Sequence, residues 1–121
     1  MDKSLNGRRV LVVEDEYFIA QEVAEALGQL GAEVIGPVAD TEAALSAIRD
    51  SLVHAAVLDL NIAGKLDFGI ADELSRRGVP FVFATGYDAG AIPARFRHVV
   101  RVEKPYDVAQ LVGELEAFLN R

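Results

Sequence analysis

The stretch RRVLVVEDEYF, residues 8–18, decides the fold. Val10, Leu11, Val12 and Val13 run without a polar break into three carboxylates, Glu14, Asp15 and Glu16, and the chain then turns apolar again. A β-rich run without alternation reads as a strand covered on both faces, the mark of a parallel sheet with helices on either side. Its end poses a second problem. Clustered carboxylates repel, and burial makes their charged forms costlier still, so a positive partner is expected there.

Outward from this stretch, short apolar runs alternate with segments of helical period. Over residues 16–30, Phe18, Ile19, Val23, Ala26, Leu27 and Leu30 recur at three- and four-residue spacing, with Asp15 placed to cap the helix and Gly31 just past its end. Residues 32–39 read as a second strand. Asp40 can cap a helix over 41–50, and 54–60 form a third strand followed by the loop NIAGKLD. A third helix covers 68–77 and stops at Gly78. Strands at 79–85 and 99–103 follow. A last helix spans 106–119, with Val108, Leu111, Val112, Leu115 and Phe118 on one face. Residues 86–98, GYDAGAIPARFRH, hold two glycines and Pro93, so any fourth helix there is short or irregular. Five β/α units in succession predict a parallel sheet sandwiched between helices.

Composition bounds the function. With 121 residues, 51% of them hydrophobic, the chain is long enough for one domain with a real core, and the expectation is a single domain over 1–121. There is no cysteine, which excludes disulfides and thiolate metal sites. A net charge of -7 argues against a nucleic-acid surface. No apolar run approaches the roughly 18 residues of a membrane span, and the N-terminus has no signal-peptide core, so the expected location is the cytoplasm.

In open α/β sheets, ligands sit at the carboxyl ends of the strands. Those ends hold Glu14 and Asp15, Asp59, Thr85, and Glu103-Lys104-Pro105. Carboxylates converging from two strands suit magnesium, which prefers oxygen ligands and keeps several waters. No EF-hand loop is present. Lys104 supplies a point charge, Thr85 a hydroxyl, and Gly86 room for close approach. Around Asp59 this set can stabilise a transferring phosphoryl group, with the carboxylate as nucleophile. Taken singly, each residue has a plainer reading: Asp15 and Glu16 as acids at a helix start, Asp59 and Lys104 as surface charges, Thr85 as a strand-end hydroxyl. Four strand ends agreeing in order outweigh these. Glu16 stays a first-turn helix acid outside the chemistry, and His54 and His98 are structural or surface residues. A dinucleotide oxidoreductase lacks its GxGxxG after the first strand. A haloacid-dehalogenase-like phosphatase needs a DxD spacing where this chain has EDE.

Glu14-Asp15, Asp59, Thr85 and Lys104-Pro105 in this order resemble the receiver domain of two-component response regulators over nearly the whole chain. The resemblance implies the flavodoxin-like (βα)5 fold, a three-layer sandwich with strand order 2-1-3-4-5. It implies a signalling domain rather than an enzyme, and Asp59 as acceptor of a phosphoryl group from a histidine kinase or histidine phosphotransfer protein. Mg2+ would be held by Glu14, Asp15, Asp59 and the backbone carbonyl of Asn61, while Thr85 and Lys104 contact phosphoryl oxygens. Output is expected through contact with a downstream protein, without an output domain, nucleic acid or membrane, as a monomer or a phosphorylation-linked dimer. The alternative is a phosphorylation-independent interaction module on the same scaffold. Two features stand apart. Arg101 occupies the position, three before the lysine, where the family usually has an aromatic switch residue. PFVFATGYD, residues 80–88, is similar to the FAT GUY subgroup, which implies a poorly formed fourth helix and kinases of the HWE or HisKA_2 type.

Overall fold

Alternate residues of the first strand go to opposite sides of one sheet. In the computed structural model, which describes residues 3–62, 65–86, 89–104 and 106–120 (backbone only for Lys65 and Ala89), strand β1 is Arg9–Val13. Val10 and Val12 join one core cluster and Leu11 and Val13 the other, all four fully buried. This period of two, apolar on both faces, is why the run shows no polar alternation.

Helix α1 (Tyr17–Gln29) is followed by β2 (Glu33–Val38), α2 (Thr41–Asp50) and β3 (Ala55–Leu58). A small antiparallel hairpin, β4 (Asn61–Ile62) with β5 (Lys65–Leu66), stands where a plain loop was expected. Then come α3 (Gly69–Arg76), β6 (Phe81–Thr85), β7 (Arg101–Glu103) and α4 (Val108–Leu119). The five-stranded sheet is parallel with order β2-β1-β3-β6-β7, the expected 2-1-3-4-5 arrangement of a flavodoxin-like fold. One core cluster joins the sheet to α1 and α4, the other to α2 and α3.

Several boundaries follow local chemistry. Asp40 caps α2 as expected, its Oδ1 accepting from the Ala43 N–H at 2.8 Å. Helix α4 starts two residues later than its apolar face suggests, because Asp107 Oδ1 accepts from the Ala109 N–H at 2.9 Å and fixes the first turn there. At α1 the N-cap position is Glu16 rather than Asp15, and its side chain makes no capping bond. Phe18 corrects the expected core stripe: it is 83% exposed, while Ala20, Val23 and Leu27 are buried. Phe18 and Val23 are five positions apart, and at about 100° per residue Phe18 falls well off the buried face.

The segment between β6 and β7 contains two 3-10 turns, Ala89–Ala91 and Ala94–Phe96, in place of a fourth α-helix. Phe96 anchors it. The ring is 2% exposed and packs against Phe68, Phe81 and Phe83 with centroid separations of 6.0, 6.0 and 5.9 Å. Next to it, Arg95 makes a two-pronged ion pair with Asp72 of α3, at 2.9 and 3.0 Å. His54 is structural, its Nδ1 accepting from the Arg9 N–H at 2.9 Å. Among the described residues no helix is long and apolar enough to cross a membrane.

Candidate functional site

Parallel strands deliver their carboxyl ends to one edge, and that edge collects the charges singled out in the sequence. Among the described residues, the buried polar side chains are Glu14, Asp59 and Thr85, each at the end of a central strand. The ladder positions them: the Glu14 N–H donates to Val38 O at 3.0 Å, and the Asp59 N–H to Val13 O at 2.9 Å. The Lys104 N–H donates to Thr85 O at 2.8 Å, which brings Lys104 to the same edge.

Lys104 is the positive partner that the carboxylates required. Its Nζ lies 2.9 Å from Glu14 Oε1, 3.1 Å from Asp59 Oδ2 and 3.1 Å from Glu16 Oε1. The lysine therefore bridges the carboxylates directly instead of standing across the site from them. Two backbone donors complete the shell: the Glu16 N–H reaches Glu14 Oε2 at 3.1 Å, and the Asn61 N–H reaches Asp59 Oδ1 at 3.0 Å.

The electrostatics remain unbalanced. Burial, and then the neighbouring Asp59 carboxyl, push the Glu14 pKa up to about 7 against the opposing pull of Lys104. Burial alone would lower the Lys104 ammonium, but Glu14, Asp59 and Glu16 outweigh it and raise its pKa. Oxygens of Glu14, Asp15 and Asp59 lie within 4.8 Å of one another. Three acids, Glu14, Glu16 and Asp59, surround one ammonium, and Asp15 with Glu14 and Asp59 offers hard oxygen donors at ion-binding separation. This donor set fits a small divalent cation.

A cleft of about 480 Å³ opens over the cluster, lined by Asp15, Glu16, Asp59, Asn61, Gly86 and Lys104. Asp59 is thus held from below and approachable from above. Thr85 is fully buried at the end of β6, next to Gly86 of the cleft wall. Pro105 lies outside the described residues, as do Tyr87 and Asp88 of the 80–88 motif.

Two residues escaped the sequence reading. Glu16, read from the sequence as only a first-turn helix acid, also touches the charged cluster, through its contact with Lys104 and its place in the cleft wall. Its spacing from Glu14 is the signal: the tight turn that lets the Glu16 N–H bond Glu14 also turns Glu16 toward the edge. Tyr106, expected in the first turn of the last helix, precedes α4 and packs against the α1/α4 core. Burial, then the charge of Glu14, raise its phenol pKa. Nothing in the sequence marks Tyr106, because its nearness to the acids depends on how β7 leads into α4.

No protein-family model matches the chain. The chain is 34% identical to SdrG from Sphingomonas melonis Fr1, whose solution structure it matches with a TM-score of 0.79 over 93% of this chain and 96% of that one. The BeF3-activated conformation of SdrG gives a TM-score of 0.76, covering 92% and 95%. A CheY-like response regulator receiver domain protein from Methanospirillum hungatei JF-1 is 19% identical with a TM-score of 0.79, covering 93% and 94%, a likeness of fold. The transcriptional regulatory protein PdtaR of Mycobacterium tuberculosis is 26% identical over 118 residues, 94% of this chain. The chain spans 58% of that relative's length. The fold, the charged strand ends and the SdrG match over nearly the whole of both chains lead to one conclusion: this chain belongs to the receiver domains of two-component response regulators.

Proposed function

We propose that Asp59 is the phosphoacceptor and that the protein signals by changing a contact surface once Asp59 is phosphorylated. The observation that supports this most is the setting of Asp59. Its carboxylate is buried, held by Lys104 at 3.1 Å and by the Asn61 N–H at 3.0 Å, and it borders an open cleft. A donor with a phosphohistidine enters from the cleft. An Asp59 oxygen attacks phosphorus and the P–N bond breaks. Its electron pair returns to the imidazole, whose other nitrogen carries the proton. Lys104 and the Asn61 N–H hold the carboxylate in place, and Lys104 is near enough to meet the charge on the transferred group. Glu14, Asp15, Asp59 and the carbonyl of Asn61 are the residues that would hold Mg2+. When bound, the ion supplies charge neutralisation for a phosphoryl group. Thr85, fully buried, contacts that group only after its side chain or the following turn moves.

The donor class is a histidine kinase or a histidine phosphotransfer protein, and the receiver is read as acting in the cytoplasm. The paired 3-10 turns between β6 and β7 support the FAT GUY reading and, with it, kinases of the HWE or HisKA_2 type. The test is incubation with acetyl phosphate and Mg2+, followed by intact-mass measurement. Wild type should gain one phosphoryl group and Asp59→Asn none; an unlabelled wild type would sink the proposal. Arg101 in the usual aromatic position favours a second reading, an interaction module indifferent to phosphorylation. Partner binding that is equal with and without the phosphoryl group would select it.

A further inference from the structure

A lysine ammonium has three hydrogens to donate, and three carboxylates surround those of Lys104. Nζ lies 2.9 Å from Glu14 Oε1, 3.1 Å from Asp59 Oδ2 and 3.1 Å from Glu16 Oε1. On the reading of Asp59 as phosphoacceptor, a phosphoryl group entering the cleft meets an ammonium whose donors are all engaged. At that stage Asp59 is still a carboxylate and keeps its own share, so another contact has to open first. The remaining two are unequal. The Glu14 side chain is 3% exposed, and losing Lys104 would leave its charge buried without a partner. The Glu16 side chain is 59% exposed, and water replaces the ammonium there at little cost.

The setting of Glu16 in the chain agrees with this. Glu16 is the N-cap residue of α1, a position that favours Ser, Thr, Asp or Asn, whose short side chains reach back to the helix N–H groups. Its own side chain makes no capping bond. The Glu16 N–H is tied to Glu14 Oε2 at 3.1 Å, and the Glu16 carbonyl accepts the helix bond from the Ala20 N–H at 2.9 Å. The main chain is thus held on both sides, while the side chain stands in the cleft wall with its end on Lys104. A fixed base and an exposed tip let the carboxylate leave Lys104 and return without moving α1.

We infer that Glu16 is a positioning residue for phosphoryl transfer: it holds one hydrogen of Lys104 in the resting site and yields it to an oxygen of the incoming phosphoryl group. The inference deepens the phosphoacceptor reading and rests on it. Only the fraction of molecules with the Glu16 contact open is ready for the donor, and apparent donor affinity falls by that fraction. A small donor such as acetyl phosphate has few other contacts with which to offset the loss, so it reads the effect most directly.

The test compares whole-chain wild type, Glu16→Ala, Glu16→Asp and Glu22→Ala, labelled by acetyl phosphate with Mg2+ and followed by intact mass over a range of donor concentrations. Glu16→Ala should label about two- to fivefold faster at low donor, the range set by an exposed ion pair, with a smaller change at saturation. Glu16→Asp keeps the charge but is one methylene shorter, so it loses the contact and should also label faster. Glu22 is exposed on the same helix, and Glu22→Ala, which removes an equal charge, should match wild type. A second readout needs no phosphoryl group. In nitrogen-15 spectra of lysine side chains, the Lys104 ammonium should exchange hydrogens with water faster in both Glu16 variants than in wild type. Improved capping of α1 by an aspartate would show in the melting temperature and not in that signal. Unchanged labelling of Glu16→Ala, a Glu16→Asp that behaves as wild type, equal acceleration in Glu22→Ala, or unchanged ammonium exchange would each overturn the inference. Labelled wild type with indifferent Glu16 variants refutes the role of Glu16 alone, whereas wild type that takes no label refutes the phosphoacceptor reading and this inference with it.

Discussion

With Nζ 2.9 Å from Glu14 and 3.1 Å from Asp59, removal of the Lys104 ammonium leaves two buried carboxylates facing each other. Lys104→Ala should therefore lower the melting temperature in chelator-treated buffer, because a buried charge is left without its partner. Added Mg2+ should recover much of that loss by binding the folded state alone. Mg2+ affinity itself should hold or tighten, since a competing cation has gone, while the spectral change on phosphorylation disappears. A variant that kept the full change would remove Lys104 from its assigned role. Phe18 gives the opposite case. At 83% exposure it contributes little packing, so Phe18→Ser should change unfolding free energy by no more than about 0.5 kcal/mol in urea titrations. Sequence periodicity had placed Phe18 on the core stripe. The misreading arises because apolar spacing near a helix end does not say which side of the first turn faces the sheet.

Two elements depend on single residues in a way that chain pattern shows only in part. In β2, Gly36 has φ +94°, and a Cβ added there would lie 2.6 Å from the Val38 nitrogen and 3.1 Å from Val12 O. Both neighbours are backbone, so neither can swing aside. Gly36→Ala should cost about 2 kcal/mol or more by chemical denaturation, combining a strained backbone with a clash. The register shift between Leu11 and Val13 against β2 sits beside this glycine. The segment between β6 and β7 hangs instead on Phe96, in contact with three other phenylalanine rings. Phe96→Ala should cost about 3–5 kcal/mol and raise amide exchange across the two 3-10 turns first. The glycines and Pro93 forecast an irregular stretch, and the paired turns agree with that. The identity of its anchor was not legible, since it depends on rings contributed by α3's N-cap position and β6.

At the scale of the whole molecule, the sheet order sets which segments feel the site. Thr85 ends β6 and Lys104 directly follows the adjacent strand β7, whereas β2 and α2 lie at the far side of the sheet. Beryllofluoride with Mg2+, a phosphoryl mimic, should therefore perturb amides from Thr85 to Lys104 strongly and leave most of α2 (Thr41–Asp50) near its starting shifts. Equal perturbation across α2 would contradict this path. By itself the sequence determined the β/α alternation, the sheet's burial on both faces, the Asp40 cap and the convergence of Glu14, Asp15, Asp59, Thr85 and Lys104 on one edge. These follow from local periodicity and strand topology, which need no side-chain geometry. Only the tertiary structure decided that Lys104 bridges the carboxylates, that Glu16 joins them, that Thr85 is fully buried and that Tyr106 borders the charges. Each of those depends on distances between residues far apart in the chain, which packing fixes and local pattern does not record.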